Sequence, residues 1–338
     1  MPTLRSRRLE TLFGGPIDDT LTFEQVMGLI PNAGESPDLD FKQETYVTSG
    51  NGGQKGTKNL CGDVAAMANA GGGVIVLGVQ EDDHARAKGY LPVDTSDDER
   101  RRLHQTVYGN VFPAPVFDIV PVEDPADVGH GFLVIWVARS AGAPHAFSPQ
   151  GTGRHYPRRV GTEKVWLSEA EIAEAYRARF AGLTDRLDQA DKIEADFLRR
   201  LTPDQIFVIV TLVPDLPGMF TIDNEVLRSF AVTYIHKPVV AMGVPMNSIS
   251  STLVRYRRLV ASGSSEARLP YSYVACELHQ DGSGAFASMI DSPMVDPHIP
   301  RPEKLVDNNH LVLGIAAALR MLGIHARDRA AAGPHSAV

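Results

Sequence analysis

Three carboxylates, Glu35, Asp40 and Glu81, stand where they could do chemistry together. Glu35 and Asp40 bracket a short extended segment in ESPDLDFKQE, and Glu81 follows the apolar run VIVLGV (Val74–Val79) almost at once. Acids delivered from separate pieces of one sheet-and-helix unit can meet at one point. Three of them cannot all ionise in a dry site without a cation, a shared proton or solvent. The pattern therefore suits a metal site or an acid/base site. With Mg or Mn held by Glu35, Asp40 and Glu81, the metal would activate water and stabilise a phosphoryl transition state. The bland alternative makes Glu35 and Asp40 solvated acids beside a strand, and Glu81-Asp82-Asp83 a polar turn.

Basic residues supply the second kind of chemistry. Lys42 lies two residues past Asp40, so on a strand both point to one face; it contacts phosphate or pairs with Asp40. Arg154, His155, Arg158, Arg159 and Lys164 form the densest local basic cluster, with Tyr156 among them. A basic strand pair carrying an aromatic suits a nucleic-acid contact, and an ordinary solvated hairpin is the competing reading. Arg100-Arg101-Arg102 is balanced by Asp97, Asp98 and Glu99 and reads as a solvated face. Arg255-Tyr256-Arg257-Arg258 is a second basic cluster. Gly71–Gly73 lies at a helix C-terminus, where the dipole repels phosphate, and no GK[ST] follows. It reads as a helix cap, and Asn69 either caps that turn or faces the acids. His145 stands alone without metal-ligand spacing. Ser36 has no His/Asp partner, so a hydrolase triad has no support.

The elements that must position these groups follow from periodicity. Phe23–Ile30 has helical spacing with Thr22 as its cap. Leu39–Tyr46 predicts a strand, and the Gly-rich stretch Tyr46–Lys58 a mobile loop. Leu60, Val64 and Met67 recur at helical spacing, with alanines between them. Val74–Val79 predicts one strand buried on both faces. A charged helix is expected over Asp97–Val107, strands over Val116–Val122 and Phe132–Ala138, and a strand pair over Tyr156–Val160 and Lys164–Leu167. Ser168 and Glu171 read as a capping box. The helix after it places Ile172, Ala175, Tyr176 and Phe180 on one face, and charged helical sequence continues to Arg200. Beyond lie a buried strand at Gln205–Val213, a short helix at Asn224–Phe230, a hairpin built from Tyr271–His279 and Ala285–Ile290, and an apolar helix at Leu311–Leu322.

The chain has 338 residues and a net charge of −8, enough for two domains with real cores. Residues 1–198 carry 20 Lys+Arg against 29 Asp+Glu, and residues 199–338 carry 13 against 12. An acidic first half argues against a simple phosphate-coating surface, so contact with nucleic acid needs a local basic patch. Cys61 and Cys276 are the two cysteines, too few and too far apart for a disulfide framework or a Cys-rich zinc site. No apolar run approaches a bilayer span of about 18 residues, and the N-terminus has no apolar secretory core. The cytoplasm is the expected compartment, with no membrane partner.

Four pieces in order resemble the Schlafen AlbA-like domain. They are Glu35 with Asp40-Phe41-Lys42, then Ala68-Asn69-Ala70-Gly71-Gly72-Gly73, then Leu77-Gly78-Val79, then Arg159-Val160-Gly161 before the acidic helix start at Ser168–Glu171. The resemblance covers roughly residues 30–180. It implies an α/β module described as DNA-binding, with bacterial members described as transcription regulators or defence proteins. In vertebrate relatives the fold acts as an endoribonuclease on structured RNA, with three acids at the positions of Glu35, Asp40 and Glu81. Here Asp40 stands where Glu is usual, and Glu81 where Asp is usual. The relatives' Cys/His zinc site has no counterpart. The resemblance also implies homodimerisation.

The expected fold class is α+β: a mixed sheet with helices, followed by a second, smaller mixed α/β domain. The expected divisions are a lead-in over 1–29, the AlbA-like domain over 30–180, a helical linker over 181–200, a second domain of unassigned role over 201–329 and a loose tail over 330–338. The leading function is nucleic-acid binding, with DNA favoured over structured RNA, through Lys42, Arg154, Arg158, Arg159 and Lys164. A metal-dependent ribonuclease using Glu35, Asp40 and Glu81 is the alternative. A protein-interaction module is the third reading.

Overall fold

The computed structural model describes residues 6–50, 52–148, 153–201, 205–240, 249, 251–263, 273–290, 306, 308–330 and 335–337. It divides into two compact units, Met1–Ala181 and Gly182–Val338. Both combine helices with a sheet, the first sheet mixed and the second antiparallel, so the class is α+β.

The first unit runs α1 (Arg7–Phe13), α2 (Phe23–Met27), β1 (Leu39–Lys42), α3 (Gly53–Ala68), β2 (Gly73–Leu77), β3 (Val79–Glu81), β4 (Ala87–Tyr90), β5 (Val93–Asp94) and α4 (Asp97–Asn110). It continues with β6 (Val111–Phe112), β7 (Phe117–Asp124), β8 (Asp127–Val137), β9 (Ala146–Phe147), β10 (Pro157–Val160), β11 (Glu163–Trp166) and α5 (Glu169–Leu198), which from Gly182 onward belongs to the second unit. β1 pairs parallel with β2, which pairs antiparallel with β8; β7 and β5 also pair with β8. Every residue of β2 is buried. Alternate side chains enter two different cores, as strand geometry requires. Ile75, Leu77, Leu133 and Ile135 pack with α3 and α4, whereas Val74, Val76, Val134 and Trp136 pack with α1 and α2. The expected lead-in is thus part of this unit's core, since Leu9, Phe13, Ile17, Leu21 and Val26 are all buried there. Thr22 and Gln25 close the capping box of α2.

Two glycines explain where the sequence reading and the structure part. α3 begins at Gly53, seven residues before the apolar spacing at Leu60, so most of the expected loop after Gly52 is helix. Its first turn crosses the backbone of Val47, and a Cβ at Gly56 would lie 1.8 Å from the Val47 carbonyl oxygen. The glycine is there for close approach, not for a loop. The single strand expected over Val74–Val79 breaks at Gly78, whose φ is +97°. A left-handed residue there is readily supplied only by glycine. The break turns β3 off the sheet to pair with β4. The strand expected over Leu39–Tyr46 stops at Lys42.

The second unit contains β12 (Phe207–Pro214), α6 (Asn224–Ser229), a π-helical turn at Phe230–His236, α7 (Lys237–Val240), β13 (Ser251–Arg255), β14 (Arg258–Ser262), β15 (Val274–His279), β16 (Gly284–Met289), α8 (Asn308–Ile324) and β17 (His335–Ala337). The antiparallel sheet has the order β13-β14-β15-β16-β12-β17. α8 covers one face through Ala317, Ala318, Met321 and Leu322. The helix Asn308–Arg329 is long and apolar enough by length and composition to cross a membrane, and 39% of that apolar window is buried inside the unit. On the other face, Ala190, Ile193 and Phe197 of α5 pack with Tyr273, Ala275 and Ala287. The stretch 181–200, expected as a linker, therefore supplies core residues to this unit. The expected hairpin forms as β15–β16, and the first two positions of its expected first strand, 271 and 272, lie outside the described residues. Part of the expected tail, His335–Ala337, pairs with β12 instead of hanging loose.

Candidate acid cluster and nucleic-acid interface

The structure gathers Glu35, Asp40 and Glu81. β1 places Asp40 and Lys42 on one face, while Leu39 and Phe41 enter the core on the other. Glu35 is tied to the β3–β4 hairpin, because its N–H donates to the Ala85 carbonyl at 2.8 Å. The turn at Gly78 carries Glu81 back towards it. The Glu35 carboxylate also accepts from the Phe41 N–H at 3.1 Å, and it lies within hydrogen-bonding reach of both Asp40 and Glu81.

Two cations answer these acids. The Arg159 guanidinium, from β10, donates to Asp40 Oδ1 at 2.9 Å and to the backbone carbonyls of Ser36 and Leu39 at 3.2 and 3.1 Å. It stands 3.9 Å from Glu35. Lys42 Nζ pairs with the other Asp40 oxygen and donates to the Phe41 carbonyl at 3.0 Å. Both side chains of the Arg159–Asp40 pair are more than nine-tenths buried. Burial pushes Asp40 upward, but Lys42, a hydrogen bond from Glu35 and Arg159 outweigh it and hold the carboxyl below its usual value. Burial, with the hydrogen bond to Asp40 and repulsion from it, pushes Glu35 up to about 8. Burial also raises Glu81, with Lys42 opposing and Asp40 adding to the rise. Two cations stand against three acids, and the upward push on Glu35 favours its holding a proton beside the ionised Asp40.

Hard oxygen donors are the right chemistry for Mg or Mn. Here, however, both Asp40 oxygens already face protein cations, Lys42 and Arg159. Among the described residues no group of three or more His, Cys, Asp or Glu side chains is placed to hold a metal ion. The arrangement is a neutralised charge network and does not fit a Mg or Mn centre.

The expected phosphate-binding residues separate into inward and outward groups. Arg159 and Lys164 are directly opposed on the β10–β11 ladder and share its inner face. Arg159 is buried on Asp40, which corrects its expected place at a nucleic-acid surface. Lys164 lies against Gly62 of α3 and donates to Asp63 Oδ1 at 2.6 Å; Tyr46 donates to the other Asp63 oxygen at 2.9 Å. Lys42 is committed to Asp40. Arg158 is on the outer face, where it pairs with Glu171 at 3.0 Å while keeping 41% of its side-chain exposure. Arg154 is exposed and pairs with no acid among the described residues. On α5, Tyr176 brings its hydroxyl 3.3 Å from that of Tyr156, and stacks on Phe180 with ring centroids 6.2 Å apart.

Asn69 is the C-cap of α3, its N–H donating to the Ala65 carbonyl at 2.9 Å, and its side chain turns away from the acids. Its amide donates to the carbonyls of His145 and Pro157 at 2.8 and 2.7 Å and accepts from the His145 N–H at 2.6 Å, clamping that loop and the hairpin to α3. His145 is a buried histidine bonded through Nδ1 to the Pro113 carbonyl at 2.7 Å, and burial lowers its pKa. The Arg100–Arg102 run pairs with Asp97, Asp98 and Glu99 along α4. In the second unit, Arg258 is 3.6 Å from the wholly buried Glu277, which also pairs with Arg200. That part of the second basic cluster is therefore turned inward. Asp63 and Tyr46 are the site residues that sequence reasoning missed; a lone acid on a helix carries no signal until the hairpin folds over it.

Residues 35–167 match the family model described as Schlafen, AlbA_2. No curated protein matches the chain. The solved structure of the DIP2311 protein from Corynebacterium diphtheriae is 24% identical, with a TM-score of 0.30; the match covers 51% of this chain and 31% of that one. The N-terminal domain of a RecG-related protein from Nitrosomonas europaea, named for an ATP-dependent DNA helicase, is 20% identical, with a TM-score of 0.28, and the match covers 44% of this chain and 95% of that domain. The ordered motifs, the mixed sheet and the family match together identify residues 35–167 as a Schlafen AlbA_2-type domain.

Proposed function

We propose that the first unit binds nucleic acid, DNA in the first instance, in a regulatory or defence role. The observation that carries this reading is the outward edge of the β10–β11 hairpin and the start of α5. Arg154 and Arg158 lie there, and Arg179 is near enough for its charge, like that of Arg154, to act on the Tyr176 hydroxyl. This is a local cationic edge on an otherwise acidic unit, the kind of patch such a chain needs to hold phosphate. The AlbA_2 match supports the same reading.

The test is fluorescence anisotropy with labelled DNA and RNA at two salt concentrations. Three phosphate contacts predict an affinity that falls roughly 20- to 40-fold between 50 and 200 mM salt. Replacing Arg154, Arg158 and Arg179 together with alanine should flatten that slope, while Lys164→Ala should leave it unchanged. No binding at 50 mM salt would refute the reading.

One observation favours a second reading, RNA cleavage. Glu35 is pushed up to about 8 beside a depressed Asp40, and neighbouring carboxyls in opposite protonation states are the raw material of acid/base catalysis. Incubating the protein with structured RNA, with Mn or with EDTA, tests it. Cleavage lost in Glu35→Gln supports this reading, and intact RNA in every condition removes it.

A further inference from the structure

We infer that β13, the outer strand of the second unit's sheet, is a pairing edge for β13 of a second copy of this chain. The strand lies outside the residues that the family model matches, so the inference stands apart from the nucleic-acid reading. It ends the strand order and pairs with β14 on one side. All five of its residues are exposed, whereas Leu259, Val260 and Ala261 of β14 are buried. Leu253 and Val254, on opposite faces, stay 37% and 49% exposed. The ladder closes on Arg255 and Arg258 across the two-residue turn Tyr256-Arg257, with Arg257 at φ +56°. Across such a turn the closing pair is hydrogen-bonded, and the pattern alternates from there. Ser251, Leu253 and Arg255 therefore turn their N–H and C=O groups to β14, and Thr252 and Val254 turn theirs outward. Among the described residues nothing takes those outward groups. Proline and bulges are common guards of an edge; β13 has neither, and its one charge sits at the turn end.

Charge and register choose the occupant. A basic strand would be repelled by Arg255, and an acidic one would gain a single exposed ion pair, which is worth little. A second β13 running antiparallel about a two-fold axis through Leu253 uses all five positions. It sets Leu253 on Leu253 of the copy, Thr252 on Val254 and Ser251 on Arg255, so no like charges oppose. The outward groups of Thr252 and Val254 then meet as hydrogen-bonded pairs. Leu253 faces itself as a non-hydrogen-bonded pair, with Cα atoms about 4.5 Å apart. The two turns, each with Arg255 and Arg257 exposed, point to opposite ends of the pair. The contact is isologous, as in most closed assemblies of identical chains. Five residues a side bury less than the ~1,200 Å² at which stable interfaces begin, so the pair forms at high chain concentration.

Light scattering on the full chain, from low to high micromolar concentration, should show the mass rising from monomer towards dimer. Leu253→Lys and Leu253→Glu should each stay monomeric, because each opposes its own charge across the axis, and an equal mixture of the two should pair again. Thr252→Pro removes an outward N–H that β14 does not use, so it should also stay monomeric, with an unchanged circular dichroism spectrum. Leu253→Cys tests the register. Cα atoms about 4.5 Å apart suit a disulfide, so mild oxidation should link two chains. Arg255→Cys, about 14 Å from its counterpart in this register, should not link. Cys61 and Cys276 are buried and do not compete. A monomer at every concentration, with no linkage in Leu253→Cys, overturns the inference and leaves the edge to a strand of another protein. A dimer that survives both Leu253→Lys and Thr252→Pro puts the interface elsewhere and overturns it too.

Discussion

Removing the Arg159 side chain should destabilise the first unit more than removing any other basic residue of the hairpin. Arg159 is 8% exposed and its partner Asp40 5%. Truncation to alanine leaves Asp40 buried beside Glu35 and Glu81 with Lys42 as the remaining cation, and also removes one donor group each from the carbonyls of Ser36 and Leu39, which keep their mutual backbone hydrogen bonds. Breaking a buried ion pair from one side costs about 3–5 kcal/mol. For a unit of this size that is a fall of about 6–20 °C in Tm, at about 2–4 °C per kcal/mol. Trp136 and Trp166 are the two tryptophans of the chain and both lie in the first unit. Their emission therefore follows that unit's unfolding without interference from the second, as a two-unit chain requires. Asp40 is depressed in the folded state. Its stabilisation is present above the ordinary carboxyl value near 3.8 and is lost as pH falls through the lower folded value. The gap between wild type and Arg159→Ala should accordingly be full at pH 7 and shrink in acid. A companion pair, Arg159→Met with Asp40→Leu, should recover most of the loss, since apolar replacements remove the uncompensated charge. A loss below about 1 kcal/mol at pH 7, or one no larger than that of Arg154→Ala, would refute the buried-pair reasoning.

Glu35→Gln should stabilise the protein at alkaline pH. The folded pKa of Glu35 is raised from 4.5 to about 8, so the folded state holds its proton more tightly and the wild type loses stability as pH rises between those values. Urea titrations at pH 4, 7 and 9 should show the variant's relative advantage growing with pH; a constant offset would count against the shared proton. Gly78→Ala should cost about 1–3 kcal/mol, because a Cβ at this left-handed position would lie 3.0 Å from the Leu91 carbonyl oxygen and 3.1 Å from that of Gly131. The same tryptophan melt reads it, and an unchanged Tm would show that the β2–β3 break does not need glycine.

The parts of this protein that were legible in its sequence are those governed by neighbours a few residues apart. The helix capped by Thr22, the buried run through Leu77, the β10–β11 pair and the β15–β16 hairpin all announce themselves by local periodicity and capping. The family motifs are equally local, and so the AlbA_2-type domain could be recognised from four short pieces. The three acids were legible as a set because each flanks a recognisable strand. What neutralises them was not. Arg159 reaches Asp40 across 119 positions, and the same residue reads as a surface cation until the hairpin is seen to close over β1. Lys164 is inward for the same reason, since strand alternation puts it on the face that Arg159 occupies. The α3 start was hidden because Gly56 looks like loop punctuation, whereas Val47 demands a residue with no side chain. α5 shows the limit in the other direction: one helical pattern, continuous from Glu169 to Leu198, buries Phe197 and exposes Phe180. Periodicity establishes that a helix has an apolar stripe. Only the packing of distant segments decides which part of the stripe is covered, and which charges meet a partner or the solvent.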